Sequence, residues 1–186
     1  MTIKMTDILT GTNAQKILWF MLDHPGEEFY DREISGLTGI SRAGTNVALR
    51  ELATANFLTR INRGRMAYYS LKSEHTLIRQ LKIVRTLAQL EDLLVHIREQ
   101  SMRIVLFGSA STGSDTAESD WDLFVLAREP NTIRKQLSKS SLDERVQLVV
   151  HTSTEWTRIR KQNRVFAEEV EKGLVLWDEM SEKSLT

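Results

Sequence analysis

Asp120 and Asp122 are separated by a single residue, Trp121, and stand at the head of the apolar run Leu123-Phe124-Val125-Leu126. Successive side chains on a β-strand alternate between faces, so two residues one apart share a face while Trp121 and Leu123 point the other way. Two carboxylates on one face at that spacing can share a hard divalent cation such as Mg²⁺, which prefers oxygen ligands and leaves positions open for substrate phosphates. A second feature lies upstream, where Gly108-Ser109 closes the apolar stretch Met102–Phe107 and ten residues, Ala110 to Ser119, separate it from the first aspartate. The segment has no lysine where a phosphate-binding P-loop carries one, and it does not fit a Gly-x-Ser-x-Gly nucleophile elbow, so neither a P-loop NTPase nor a serine hydrolase is indicated.

The elements that must position these residues follow from periodicity. Met102–Phe107 reads as a strand, Asp120–Ala127 as a second, Thr132–Lys139 as a helix and Arg145–His151 as a third strand. A helix from about Thr154 to Lys172 and a short strand, Leu174–Trp177, complete an alternating half. Before it, Leu77, Leu81, Val84, Leu87, Leu90, Leu94 and Ile97 recur in steps of three or four, which predicts one amphipathic helix from Glu74 to about Gln100. The N-terminal part reads as a helix over Asn13–Leu22 stopped by Pro25-Gly26, a short helix over Tyr30–Gly39, and a third helix capped by Ser41. Phe57–Asn62 and Met66–Leu71 then alternate around Arg63-Gly64-Arg65 as a hairpin. The expected architecture is two-domain α+β, with an N-terminal domain over 1–73, a connector helix over 74–100 and a C-terminal α/β domain with a mixed sheet over 101–186.

Composition narrows the chemistry. The 186 residues have 41% apolar side chains and no cysteine, which excludes a disulfide framework and any thiolate metal site. The four histidines, 24, 75, 96 and 151, lack ligand spacing. Any metal is therefore expected to be oxygen-bound and exchangeable. No signal-like or membrane-spanning apolar run is present, so a cytoplasmic chain is expected. The formal net charge of zero hides two poles: six basic residues against one acid from Ser41 to Lys72, and four acids with no base from Asp115 to Asp122.

Three helices and a hairpin, with the positive surplus on the third helix and the hairpin, have the layout of a winged helix-turn-helix. The stretch from Thr38 to Arg60 resembles the recognition helix and following strand of bacterial and archaeal winged-helix regulators, a resemblance that covers about Asn13 to Leu71. It implies DNA as partner. A helix enters the major groove with its N-terminal residues on base edges, which makes Ser41, Arg42, Thr45 and Asn46 the expected readers and Arg50 a phosphate contact. Arg63 and Arg65 would enter a minor groove or grip backbone, and Arg60 is a weaker phosphate candidate. A solvated face on a packing module is the alternative, although one acid among seven charges is unlike the usual mixed surface.

The stretch Val105–Leu126 is similar to the nucleotidyltransferase superfamily that includes DNA polymerase β, above all to its minimal prokaryotic members. Gly-Ser, about ten residues and Asp-x-Asp are its pattern, and the likeness extends from about Met102 to Trp177. The resemblance implies that Gly108 and Ser109 hold nucleotide phosphates and that Asp120 and Asp122 are the catalytic, metal-binding pair. The implied cofactor is Mg²⁺ or Mn²⁺, with a nucleoside triphosphate as substrate or ligand. The reaction would be attack of a hydroxyl on its α-phosphate, with pyrophosphate leaving. The family's third carboxylate sits on a neighbouring strand, where this chain has Val146-Gln147-Leu148-Val149. Glutamine offers a carbonyl oxygen but neither the charge nor the basicity of a carboxylate. Glu144 falls on the opposite face from Gln147, and His151 on the same face. Arg158, Lys161 and Arg164 form a stripe that is phosphate-facing or simply solvated.

Two functions compete on these grounds: a nucleotidyltransferase recruited by its DNA-binding domain, and a DNA-binding regulator whose transferase domain is degenerate and binds only nucleotide or a partner protein. An antitoxin-like role for that domain rests on family analogy alone. The leucine series is core or dimer seam, and a homodimer is expected because symmetric operators demand one.

Overall fold

The computed structural model describes residues 8–183. It is a mixed α/β structure with two sheets, and its internal contacts divide the chain between Ala88 and Gln89. Among the described residues no helix is long and apolar enough to cross a membrane.

In the first unit, helix α1 (Asn13–Asp23) starts on a capping box: the Thr12 hydroxyl accepts the Gln15 N–H at 3.2 Å and the Gln15 side chain accepts the Thr12 N–H at 3.0 Å. Strand β1 (Glu28–Tyr30), helix α2 (Asp31–Thr38) and helix α3 (Arg42–Thr54) follow. Gly39 closes α2 at φ 69°, and the Ser41 hydroxyl caps α3 by accepting the Gly44 N–H at 3.2 Å. Strands β2 (Leu58–Arg63) and β3 (Met66–Leu71) form the hairpin, and the sheet order is β1-β3-β2, antiparallel throughout. The sequence places Tyr30 in a helix; instead Phe29 and Tyr30 pair with Tyr69 and Tyr68, because the third edge of the hairpin is filled by a segment too short to show alternation. Ile17, Met21, Leu22, Ile34, Leu49, Leu58 and Ile78 make the core.

Helix α4 (Thr76–Ile97) contains the point of division. Its apolar series is not uniform: Leu90 and Ile97 are fully buried, whereas Leu77 and Val84 are 55% and 37% exposed. Arg85 is fully buried too, and its guanidinium donates to the Leu22 carbonyl at the end of α1, with Asp23 close by. A cation there complements the negative end of that helix.

In the second unit β4 (Ser101–Phe107) runs into a one-turn helix α5 (Gly108–Thr112), then β5 (Trp121–Ala127), α6 (Pro130–Leu137) and β6 (Val146–His151). Helices α7 (Ser153–Gln162) and α8 (Arg164–Glu171), strand β7 (Leu174–Asp178) and helix α9 (Glu179–Lys183) end the described chain. The sheet order is β6-β5-β4-β7, with β5 and β6 parallel and the other pairs antiparallel. The single helix expected over Thr154–Lys172 is two, because Asn163 leaves helical geometry (φ −128°, ψ 77°) and its side chain accepts the Phe166 N–H at 3.2 Å to start α8. One sheet face carries Val105, Phe107 and Phe124, covered by Trp156, Phe166 and Val170 from α7 and α8. On the other, Ile104, Leu106, Trp121, Leu123 and Val125 are buried.

Trp121 is the anchor of the Asp-x-Asp segment. It has no exposed surface, its backbone N–H donates to the Arg145 carbonyl at 2.9 Å, and the Arg145 guanidinium lies 4.7 Å from its ring centroid. Replacing a buried aromatic by alanine removes its transfer energy and leaves a cavity. Trp121→Ala is expected to cost about 3–5 kcal/mol, read as a lowered urea midpoint, with Trp121→Phe costing distinctly less.

Candidate functional site

Strand register brings the glycine and the aspartates together. Phe107, the last residue of β4, stands opposite Asp122 of β5, so the next residue, Gly108, arrives at the Asp122 side chain. Gly108 has φ 66°, and a Cβ built on it would run into the Asp122 carboxylate. Both the left-handed backbone and the close approach require glycine here. The chain then turns tightly. The Ser109 carbonyl accepts from the Gly113 and Ser114 N–H groups and from the Thr112 hydroxyl at 3.0 Å, while no other described residue hydrogen-bonds the Ser109 hydroxyl. Further on, the Thr116 N–H donates to the Ser119 hydroxyl at 2.8 Å and the Ser119 N–H to the Thr116 carbonyl at 3.2 Å, a turn that delivers Asp120.

Asp120 lies one residue before β5, not on it, and is exposed, whereas Asp122 is half-buried. The pair is therefore unequal. Burial raises the Asp122 carboxyl above its ordinary value, and the negative charges of Glu169 and then Asp120 push the same way. Glu169 is not among the site residues expected from the sequence, where with Glu168 and Glu171 it balances the solvated basic stripe. It follows Phe166 by three residues on α8, on the flank of the helix that packs against Phe107, since the Phe166 and Phe107 rings meet edge to face at 5.8 Å. Forty-six residues separate it from Asp122, and only the packing of α8 on the sheet reveals the relation.

Gln147 stands beside Asp122 in the parallel β5–β6 ladder, on the same face and exposed. Glu144 is outside β6 and exposed. His151 pairs with Leu126, four residues along from Asp122 and so about 13 Å away at strand spacing. The expected basic stripe is divided: Arg164 Nε lies 2.8 Å from Glu168, in the helix beyond the Asn163 break. Among the described residues, no group of three or more His, Asp or Glu is disposed to hold a metal ion. Two carboxylates that repel each other, one of them seated where Gly108 lacks a Cβ, do fit a hard divalent cation that keeps several ligands from water or phosphate.

In the first unit the expected DNA readers fare differently. Thr45 is a correction: it is fully buried, its hydroxyl faces the Ile40 carbonyl, and it supports the helix from inside. The Asn46 amide donates to Asp31 at 3.3 Å and to the Arg42 carbonyl at 3.0 Å. Ser41 is exposed but its oxygen caps α3. Arg63 pairs with Glu28 at 2.7 Å and lies 4.9 Å from the Tyr68 ring centroid, so it is held on the sheet. Arg42, Arg50 and Arg65 are exposed and border one concavity of about 450 Å³.

A carboxyl whose folded pKa lies above its unfolded value favours folding at low pH, and that contribution is lost as pH rises through the folded value. Removing the Asp122 charge therefore relieves repulsion at neutral pH. Asp122→Asn is expected to raise the melting temperature at pH 7 and to lose that advantage in acid, as measured by thermal unfolding across pH.

A protein-family model, described as polymerase beta, nucleotidyltransferase, matches residues 88–182. Neither the curated proteins nor the solved structures compared with the chain gave a match.

Proposed function

The chain belongs to the polymerase beta nucleotidyltransferase family, and from that premise we propose that it moves a nucleotidyl group from a nucleoside triphosphate to an acceptor hydroxyl. Asp120 and Asp122 hold Mg²⁺ or Mn²⁺, and Gly108 and Ser109 hold the phosphates. The observation that carries this reading is the apposition of Gly108 to the Asp122 carboxylate, which would set bound phosphate and bound cation side by side. When bound, the cation supplies charge stabilisation to the triphosphate oxygens. The Ser109 hydroxyl donates to a phosphate oxygen, and the absent Cβ of Gly108 lets the Asp122 carboxylate sit against the start of the turn that carries Ser109. The acceptor oxygen bonds to the α-phosphorus, the bond to the bridging oxygen breaks, and pyrophosphate leaves. Gln147 cannot take the acceptor's proton, which passes to solvent.

Residues 13–71 are read in the same proposal as a winged helix-turn-helix that binds DNA. Support comes from the order of α1, β1, α2, α3 and the β2–β3 hairpin, and from the exposed Arg42, Arg50 and Arg65. Leu77 and Val84, seven residues apart and exposed on α4, support a homodimer seam. A second reading, a DNA-binding regulator whose transferase-like unit holds nucleotide without turning it over, is favoured by one observation: a neutral Gln147 at the register position beside Asp122.

Pyrophosphate release from the four nucleoside triphosphates in Mg²⁺ separates them. Under the enzyme reading Asp120→Asn lowers the rate by about a hundredfold or more, since a catalytic metal is worth several kcal/mol. A wild-type rate equal to that of Asp120→Asn would sink it. Under the second reading calorimetry shows Mg²⁺-dependent triphosphate binding without release, and Gln147→Asp gains activity.

A further inference from the structure

Five arginines line the concavity of about 450 Å³ in the first unit: Arg32 from the first turn of α2, Arg42 and Arg50 from α3, Arg60 from β2 and Arg65 from the hairpin turn. One carboxylate, Asp31, lines it with them, and it is already engaged: Oδ1 accepts the Arg32 N–H at 2.9 Å and Oδ2 the Asn46 amide at 3.3 Å. Among the described residues no ion pair involves any of the five arginines. Among the described residues, the hydrogen bond that holds one of these guanidinium groups runs from Arg60 Nε to the Tyr69 hydroxyl at 3.2 Å. Gathering five cations without matching anions stores repulsion, which a closely spaced set of phosphates relieves.

The remaining surface of α3 is poor in groups that read bases. Thr45, Ala48, Leu49 and Leu52 face the core. Arg42, Asn46 and Arg50, spaced four apart, border the concavity. The side turned away from the core holds Ala43, Val47, the latter 56% exposed, and Glu51 in the last turn; the aliphatic pair offers a base pair nothing beyond contact with a thymine methyl, and Glu51 lies at the end of the helix away from the N-terminal residues that enter a groove. Asn46, the one amide able to bond an adenine edge in two places, is held by Asp31 and the Arg42 carbonyl.

We propose that this five-arginine concavity is a phosphate-backbone site, taking consecutive phosphates of duplex DNA, and that the first unit therefore binds duplexes with little regard to their sequence. The inference rests on the DNA-binding reading above, adds Arg32 to it as a phosphate contact and raises Arg60 from a weaker candidate to a full one. It also replaces recognition at base edges by recognition of charge spacing. A free triphosphate presents the same chemistry, so both sources belong in the test.

The test is fluorescence anisotropy of the full-length protein with labelled duplexes of unrelated sequence over a range of salt. Affinities are expected to agree within about threefold, where sequence readout would cost roughly fivefold or more for each mismatched pair. Each phosphate contact steepens the plot of log K against log salt by about 0.9, so Arg32→Gln and Arg60→Gln are each expected to flatten it by about one. Both arginines are exposed, but Arg60 bonds the buried Tyr69, so Arg32→Gln is the variant less able to act through folding, and the melting temperature of both variants checks this. Wild-type protein that binds no duplex overturns this inference together with the DNA-binding reading. Duplex binding that discriminates strongly among sequences, or that keeps its affinity and salt slope in both variants, overturns this inference alone. Tripolyphosphate binding with no duplex binding assigns the concavity to a free polyphosphate and overturns the DNA backbone as its occupant.

Discussion

The register between β4 and β5 is the constraint on which the candidate site depends. With Phe107 opposite Asp122, Gly108 leaves β4 at the point where the aspartate emerges from β5, and only a residue without Cβ fits between them. A slip of one residue would turn Asp122 into the apolar layer and Trp121 out of it, because strand side chains alternate with a period of two. The surrounding structure holds that register from both sides. Trp121 is buried on one face and bonded to Arg145, while Phe107 and Phe124 are clamped on the other by Phe166 and Trp156. The acidic pair is therefore carried by the most deeply packed part of the second unit, and its geometry is tied to the unit's stability.

The same packing makes the site electrostatically unfavourable on its own. Asp122 is partly withdrawn from water and faces the negative charges of Glu169 and Asp120. Gln147 beside it adds no charge, so the density of negative charge is lower than three carboxylates would give, and the arrangement suits one cation with ligands left over for phosphate. In the first unit the sign is reversed and the logic repeats. Arginines that make no ion pair among the described residues line one concavity, in a unit whose core of Ile17, Met21, Ile34 and Leu49 is well buried.

Much of this was legible in the sequence because it was local. Gly-Ser, the ten-residue interval and Asp-x-Asp lie within fifteen residues, and strands that bury both faces announce themselves as apolar runs. Ser41 as an N-cap and Gly39 as a left-handed C-cap are likewise one-residue signals with a physical cause. Elements whose definition comes from a partner were not legible. β1 exists because β3 offers it an edge, and the break at Asn163 wins over a continuous helix because a capped α8 packs Phe166 and Val170 onto the sheet.

Residue types and short spacing were enough to carry the likeness to the family, the two charged poles, the acidic pair with Gly-Ser ahead of it, and a neutral Gln147 on the neighbouring strand. Which side chains stand exposed and which are engaged came from the folding of distant segments onto one another. That folding buried Thr45, engaged Asn46, drew Arg63 onto Glu28, set Asp120 just outside the strand and brought Glu169 within reach of Asp122 by its charge. The reason is that burial, pairing and field are sums over neighbours distant in the chain, and no local pattern records who those neighbours are.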